Sequence, residues 1–191
     1  MVGASNTLKI FFPGRRYSCD RSFLYFLDKY ISGDSIYLTY DHPRMVEDKL
    51  TIEEDFKRAY AYAKEKLSNI DFKKYGEIIF IAKSLGTVVA GRLRKELGLE
   101  NRVRFICLTP INETLPYLTQ TDFIITSESD KYIDVSSLKQ KENMYPFLTI
   151  YKDVPHSLEL PSMYETLNFL KVNLDLALNY LDTSYKDILN D

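Results

Sequence analysis

The chain of 191 residues is 45% hydrophobic and 27% charged, which is the composition of a folded globular protein without disordered or low-complexity segments. Its 25 lysines and arginines nearly balance its 27 aspartates and glutamates, so no overall positive charge favours nucleic acid or an anionic membrane surface as a partner. Two cysteines are too few for a disulfide framework, and with only two histidines the sequence has no ligand cluster of zinc-site spacing. We therefore expect a single domain over residues 1–191, with no cofactor and no metal.

We expect neither a membrane-spanning segment nor a secretory signal in this sequence. No apolar run approaches the roughly 20 residues that a spanning helix needs. The first residues, MVGASNTLKIFFPG, lack a basic start followed by a long apolar segment. We expect a cytoplasmic protein without membrane insertion, and the sequence does not indicate its oligomeric state.

Six short runs of apolar, β-branched and aromatic residues predict six strands. In chain order they are residues 7–12 (TLKIFF), 34–40 (DSIYLTY), 77–82 (EIIFIA), 102–109 (RVRFICLT), 121–126 (TDFIIT) and 147–153 (FLTIYKD). Segments with helical spacing separate most of them, and two begin with capping-box pairs, Thr51 with Glu54 and Ser162 with Glu165. This alternation predicts an α/β fold, a three-layer doubly wound sheet of mostly parallel strands.

Polar residues follow most of the predicted strands. In a doubly wound sheet, ligands bind outside the carboxyl ends of the strands, so these residues are candidates for function. They are residues 13–17 after the first strand, 41–43 after the second, Ser84 after the third, Glu128, Asp130 and Asp134 after the fifth, and His156 after the sixth. A hydroxyl, several carboxylates and both histidines are therefore predicted to share one edge of the sheet.

The segment Ala82-Lys83-Ser84-Leu85-Gly86 joins a predicted buried strand to a predicted helix. A serine flanked by small residues at such a junction is typical of a nucleophile elbow, a strained turn in which strand and helix approach closely. Ala82 stands where the usual first residue is glycine, and its methyl group still permits the turn. The alternative is that Ser84 simply caps the following helix.

A serine becomes a nucleophile when a histidine removes its proton and a carboxylate orients that histidine. His156 lies in KDVPHSLELP, after the last strand, and Asp130 lies in SESDKYID, after the preceding one. The order Ser84, Asp130, His156 is the chain order of an α/β-hydrolase triad. Glu128 and Asp134 are rivals of Asp130 for the position of the acid.

On these motifs the chain resembles the α/β-hydrolase superfamily, and in particular its compact serine hydrolases without a cap domain, over nearly all of its length. The matching segments are FFPGRRYS as the oxyanion loop, IAKSLGT as the elbow, SESDKYID as the acid loop and VPHSL as the histidine loop. The resemblance implies a minimal α/β-hydrolase fold with strand order 2-1-3-4-5-6. Two positions depart from the pattern, namely Ala82 and Pro13, the latter because many members have histidine before Gly14.

The resemblance also implies a carboxylesterase-like serine hydrolase that cleaves an ester, thioester or similar acyl bond through an acyl-enzyme intermediate. Ser84 would attack, His156 would transfer the proton and Asp130 would orient His156. The backbone amides of Leu85 and Arg15 would form the oxyanion hole.

The substrate is expected to be a small or surface-presented acyl compound. Only PINETLPYLTQ separates Thr109 from Thr121, which leaves no room for a cap and predicts an open cleft. Arg16, Tyr17 and His42 are further candidates for substrate binding.

Arg15 and Arg16 raise a question of specificity, because guanidinium groups match carboxylates and phosphates. If they face the cleft, an anionic acyl substrate is favoured. Otherwise they point to water or pair with neighbouring acids, for which the candidates are Asp20, Asp41 and Glu128.

Two other interpretations remain open. A thiol nucleophile would have to be Cys19, which stands in no recognisable turn. We expect Cys19 to pack at the start of a helix and Cys107, which lies within a strand, to pack in the core. The chain could also be a non-catalytic α/β-hydrolase-like interaction protein that binds a partner at the same edge. The complete set of serine, aspartate and histidine argues against that class.

Overall fold

The computed structural model describes residues 6–40 and 52–183, and in this part of the chain the strands form one parallel sheet. Its order is β2-β1-β3-β4-β5-β6, so the predicted topology is confirmed. The strands are β1 Thr7–Phe12, β2 Asp34–Tyr37, β3 Glu77–Lys83, β4 Val103–Leu108, β5 Phe123–Ser127 and β6 Leu148–Tyr151. The α-helices are α1 Ser22–Tyr30, α2 Ile52–Leu67, α3 Leu85–Glu96, α4 Val135–Lys139 and α5 Met163–Asp182, with 3₁₀ turns at Phe72–Lys74, Asn112–Tyr117 and Glu142–Met144.

Eight strand ends differ from the prediction by one to three residues, and for two of them the neighbouring strands explain the difference. β2 stops at Tyr37 rather than at residue 40, since it is an edge strand whose ladder with β1 ends where Tyr37 faces Phe11. β3 lies between β1 and β4 and continues one residue further, to Lys83, which pairs with Leu108. As a result β3 delivers Ser84 directly to the carboxyl edge of the sheet.

Each face of the sheet is covered by a pair of helices, because alternate strand residues point to opposite faces. On one face Phe11 and Ile81 join the apolar residues of α1 and α5. On the other face Phe80 and Ala82 join those of α2 and α3. This is the three-layer doubly wound arrangement that the sequence predicts.

The start of α5 follows its sequence signal, since Ser162 Oγ accepts a hydrogen bond from the amide of Glu165 at 3.4 Å. Thr51, in the other predicted pair, lies outside the described residues. Over residues 6–40 and 52–183, no helix has both the length and the apolar character needed to cross a membrane.

A buried ion pair ties α3 to the segment before β5. Arg94 donates to both carboxylate oxygens of Asp122, at 2.5 and 2.9 Å, and to the carbonyl oxygen of Tyr117 at 2.6 Å. The side chains of Arg94 and Asp122 are both 0% exposed. Removing one partner of such a pair leaves the other as an uncompensated charge in the core.

We expect Asp122→Ala to lower the free energy of unfolding by about 3–5 kcal/mol, because it leaves the Arg94 guanidinium buried without its partner. Urea denaturation measures the change. Glu53→Ala is the matched control: the Glu53–Lys57 pair is exposed to solvent, and its loss should have a far smaller effect on the free energy of unfolding. Equal effects of the two variants would contradict this account of Arg94.

Candidate active site

Ser84 lies on a strained turn between β3 and α3. Its φ of 52° and ψ of −121° are rare for a residue other than glycine and cost about 1–3 kcal/mol. The Ser84 amide donates to the carbonyl oxygen of Leu108 at 3.0 Å, and a Cβ added to Gly86 would lie 2.2 Å from the carbonyl oxygen of Phe12. Ser84 Oγ makes no capping hydrogen bond to α3, so the interpretation of Ser84 as a helix cap is not supported.

A chain of hydrogen bonds connects three of the predicted site residues. Ser84 Oγ lies 2.7 Å from His156 Nε2, and His156 Nδ1 lies 2.6 Å from Asp130 Oδ2. With the imidazole proton on Nδ1, His156 donates to the carboxylate and its Nε2 accepts from the serine hydroxyl. This tautomer leaves Nε2 able to take the serine proton.

Asp130 is held by the loop after β5, and its rivals have other partners. The Asp130 side chain is 0% exposed, and its Oδ1 accepts from the amide of Tyr132 at 3.0 Å. Asp134 instead caps α4 by accepting from the amide of Ser136 at 3.1 Å. Glu128 is exposed and lies 2.5 Å from Lys139 Nζ. Of the three acids, Asp130 is the one that contacts the imidazole.

The histidine loop is fastened to the acid loop. The amide of Val154 donates to Ser127 Oγ at 3.0 Å, and Ser129 Oγ donates to the carbonyl oxygen of Val154 at 3.2 Å. Beyond Val154 the chain turns so that the amide of Leu158 reaches the carbonyl oxygen of Pro155 at 2.8 Å. Leu158, at φ 63°, is buried in the core and anchors this turn.

The surroundings of His156 favour its neutral form. Burial lowers the pKa of His156 below its ordinary value of 6.5, the hydrogen bond that His156 donates to Asp130 raises it, and the Lys83 charge lowers it. The ring of Tyr132 lies 4.6 Å from the imidazole, centroid to centroid. The imidazole is therefore an unprotonated base at neutral pH.

The loop after β1 faces the start of α3. Gly14 and Tyr17 bond through their main chains at 2.9 and 3.3 Å, with Arg15 and Arg16 at the tip of the turn. A Cβ at Gly14 would lie 3.2 Å from Ser84 Cβ, so this loop passes close to the serine. Leu85 is the first residue of α3, where amides have no partner within the helix. The two backbone donors predicted for an oxyanion, at Arg15 and Leu85, thus belong to a loop and a helix start that border Ser84.

These loops enclose a cleft of about 310 Å³ at the carboxyl edge of the sheet. Its lining includes Ser84, His156 and Leu85 together with the residues of the turn after β1. Tyr132 and Ile111 form part of the wall. The serine hydroxyl therefore lies in the lining of this cleft.

The predicted binding residues differ in their surroundings. Arg15 Nε lies 2.6 Å from Asp55 Oδ2, whose side chain is 0% exposed, so a buried acid on α2 faces this arginine. Arg16 is exposed and lines the cleft. Tyr17 is mostly buried, and its hydroxyl accepts from the amide of Phe23 at 3.4 Å.

The alternatives for the arginine partners have other contacts. Ser18 hydrogen-bonds to Asp20, and Glu128 pairs with Lys139. His42 and Asp41 lie outside the described residues. Sequence reasoning missed Asp55, because an acid in the first turn of a helix is most simply read as a stabiliser of the helix dipole.

The residue before Ser84 is a buried lysine that sequence reasoning did not assign to the site. Lys83 is 1% exposed, and its Nζ donates to the carbonyl oxygen of His156 at 2.6 Å and to Thr109 Oγ1. Nζ also lies 5.1 Å from the centroid of the Tyr17 ring. Burial lowers the pKa of Lys83 to about 7. The signal in the sequence was its place at the end of a buried strand, from which a side chain has no short route to solvent.

The cysteines do not contribute to this arrangement. Cys19 Sγ lies 3.6 Å from the carbonyl oxygen of Leu38, and burial raises the pKa of the Cys19 thiol to about 12. Cys107 is fully buried in β4. Among residues 6–40 and 52–183, no group of three or more histidine, cysteine or carboxylate side chains is placed to hold a metal ion.

Comparison with solved structures identifies the fold. A hydrolase described as putative, of the α/β superfamily, from Xanthomonas campestris pv. campestris aligns with a TM-score of 0.56 at 13% identity, over 92% of this chain and 99% of its own. An esterase from Pyrococcus furiosus aligns with a TM-score of 0.59 at 14% identity, over 94% of this chain and 83% of its own. An α/β serine hydrolase homologue from Coxiella burnetii aligns with a TM-score of 0.57 at 11% identity, over 94% and 86%. No protein-family model and no curated protein sequence matches the chain. At these identities the likeness shows the fold, which is the α/β-hydrolase fold.

The buried Lys83 predicts that stability depends on pH. In the unfolded chain its pKa has the ordinary value of 10.5, whereas in the native protein it is about 7. Between these values the unfolded state binds one more proton, so the free energy of unfolding should rise with pH by up to about 1.4 kcal/mol per unit. Urea denaturation gives the free energy of unfolding of wild type and of Lys83→Met at each pH in this range. The difference between the two proteins isolates the effect of Lys83, because groups that titrate equally in both contribute nothing to it. A difference that does not change with pH would show that native Lys83 keeps its proton.

Proposed function

We propose that this chain, which has the α/β-hydrolase fold, is a serine hydrolase that cleaves an ester, thioester or similar acyl bond. The observation that carries the proposal is the hydrogen-bonded chain from Ser84 through His156 to Asp130, built on a serine with positive φ. A strained backbone at a buried turn persists only where the surrounding structure holds it, and such strain clusters at functional sites. Solved structures of the same fold are described as hydrolases, one as an esterase, which supports hydrolysis in general.

The proposed reaction follows from the direction of the hydrogen bonds. Ser84 Oγ attacks the carbonyl carbon while His156 Nε2 takes its proton, and Asp130 stabilises the imidazolium that forms. The amides of Leu85 and Arg15 donate to the oxyanion of the tetrahedral intermediate. His156 then gives the proton to the leaving group, which departs from the acyl-enzyme. Water, deprotonated by the same imidazole, attacks the acyl-enzyme and frees Ser84.

The size of the cleft limits the substrate. About 310 Å³ accommodates a small acyl group or one presented at the surface of a larger molecule. The segment between β4 and β5, where this superfamily often inserts a cap, contains only the 3₁₀ turn Asn112–Tyr117. We therefore propose a short-chain ester or thioester as the substrate class.

We expect wild type to hydrolyse p-nitrophenyl acetate or butyrate, and Ser84→Ala and His156→Ala each to lower kcat/KM by at least about 10³-fold. The double variant should lose no more than either single one, because the two residues act as a unit. Asp130→Asn should also lose activity, since it favours the wrong tautomer, whereas Asp134→Asn is the matched control at the rival acid and should not. Steady-state kinetics measures all five variants.

Equal rates for wild type and Ser84→Ala would overturn the proposal. That result would favour the other class of function, a non-catalytic protein that binds a partner through the same edge of the sheet.

We also propose that the cleft prefers an anionic acyl group, such as one carrying a carboxylate or phosphate, through Arg16, which is exposed and lines the cleft. The kcat/KM ratio of an anionic ester to its neutral analogue should exceed one and fall as salt is added. Arg16→Gln should lower that ratio. Arg102→Gln removes an equal charge before β4, far from the carboxyl edge, and should leave it unchanged. A ratio unaffected by Arg16→Gln would contradict the preference.

A further inference from the structure

Lys83 occupies a position between three loops of the candidate site. One contact is with the histidine loop, at the His156 carbonyl oxygen, and one is with Thr109, the residue after β4. The third is with the ring of Tyr17, from the turn after β1. An ammonium group has three N–H donors. Two of them meet oxygen atoms, and the charge faces an aromatic ring.

We propose that Lys83 is a positioning residue of the Ser84 site: it fastens the main chain of His156 to Thr109 and Tyr17 and thereby holds the imidazole in line with Ser84 Oγ. This inference rests on the proposed hydrolase function. It adds a residue that takes no part in the bond changes of the reaction described above and acts through His156.

The contact between Lys83 and the His156 main chain matters because Ser84 and His156 lie on separate parts of the sheet. His156 comes from the loop after β6, whereas Ser84 follows β3, so two strands separate them in the sheet. The bond between Oγ and Nε2 depends on where that loop sits, and the imidazole is 22% exposed. Lys83 precedes Ser84 in the chain and bonds to the backbone of His156 itself. Ser84 and His156 are thereby connected in two ways: through the bond from Lys83 to the His156 main chain, and through the hydrogen bond between their own side chains.

The charge of Lys83 has a second effect. A cation beside an imidazole disfavours imidazolium, and Lys83 is among the groups that lower the pKa of His156. Because the pKa of Lys83 is about 7, it carries its charge through the acidic range in which His156 titrates. Above that range the neutral amine still has two N–H donors for its two oxygen partners. The hydrogen bonds from Lys83 to its two oxygen partners therefore persist at alkaline pH. The charge of Lys83 lowers the pKa of His156 at acidic pH, where Lys83 is protonated.

Other charged groups face this pair. Asp130 and Glu159 favour the charged form of Lys83, and Asp130 favours imidazolium. Lys131, on the acid loop, also lowers the pKa of His156. Lys131 is exposed, with its ammonium 5.2 Å from the ring of Tyr132, so solvent and salt screen its charge. It provides a matched control for a charge that acts from the surface.

The test compares Lys83→Gln, Lys83→Met and Lys131→Gln with wild type. Glutamine loses the charge but keeps two N–H donors, whereas methionine loses both the charge and the donors. We expect Lys83→Met to lower kcat for a p-nitrophenyl ester by about 10²-fold, and Lys83→Gln to retain most of it. The acidic limb of the kcat/KM profile should move up by on the order of one pH unit in both variants. Lys131→Gln should shift it less, and only at low salt.

A second readout does not need activity. The chain has two histidines, so NMR of the imidazole carbon-bound protons gives two titrations, which His42→Gln assigns. The pKa of His156 should rise in Lys83→Gln and Lys83→Met. The deshielded proton that His156 Nδ1 shares with Asp130 should be visible in wild type and Lys83→Gln, and lost to exchange in Lys83→Met.

The kinetic and NMR measurements test the role of Lys83 and the proposed hydrolase function separately. An unchanged His156 titration together with a retained Nδ1 proton in Lys83→Met would overturn the role of Lys83, even if the protein hydrolyses esters. Absence of ester turnover in wild type would overturn the proposed function, and the NMR titrations would still decide whether Lys83 holds and tunes His156. Equal kcat in wild type and Lys83→Met would likewise contradict positioning.

Discussion

At Gly86 the helix α3 meets β1 without a side chain between them, since a Cβ there would lie 2.2 Å from the carbonyl oxygen of Phe12. This contact allows the chain to leave β3 and enter α3 through one residue, Ser84, at φ 52°. A larger residue at position 86 would push the helix off the sheet and relax the turn. Ser84 Oγ would then move away from His156, which lies on the loop after β6. The geometry of the site thus depends on a backbone contact more than on any single hydrogen bond.

Burial and charge are balanced around this turn. Asp130 and Lys83 are both removed from solvent, and each is satisfied by main-chain groups, the amide of Tyr132 for the acid and the carbonyl oxygen of His156 for the lysine. Opposite charges on either side of the imidazole compensate each other, because Asp130 raises the pKa of His156 and Lys83 lowers it. Burial then tips the balance toward the neutral ring, the form that can accept a proton from Ser84.

The strand order was predicted from the resemblance to the α/β-hydrolases. The sequence itself was sufficient to predict a doubly wound parallel sheet and the contacts among Ser84, Asp130 and His156, because buried parallel strands read as apolar runs and reacting groups follow their ends. It was not sufficient for Lys83, whose partners lie 26 and 73 residues away in the chain. A lysine beside a reactive serine gives no periodic signal that distinguishes a buried ammonium from an exposed one. For the same reason, the partner of Arg15 was sought among nearby loop acids rather than at Asp55 on α2.

The central claim is that Ser84 is a nucleophile activated by His156. Treatment with a fluorophosphonate, followed by intact-mass measurement and peptide mapping, tests it most directly, because the reagent phosphonylates an activated serine regardless of the natural substrate. The account predicts one adduct per chain, located on Ser84, absent in Ser84→Ala and formed far more slowly in His156→Ala. No adduct on the folded wild-type protein, or an adduct on another residue, would contradict it.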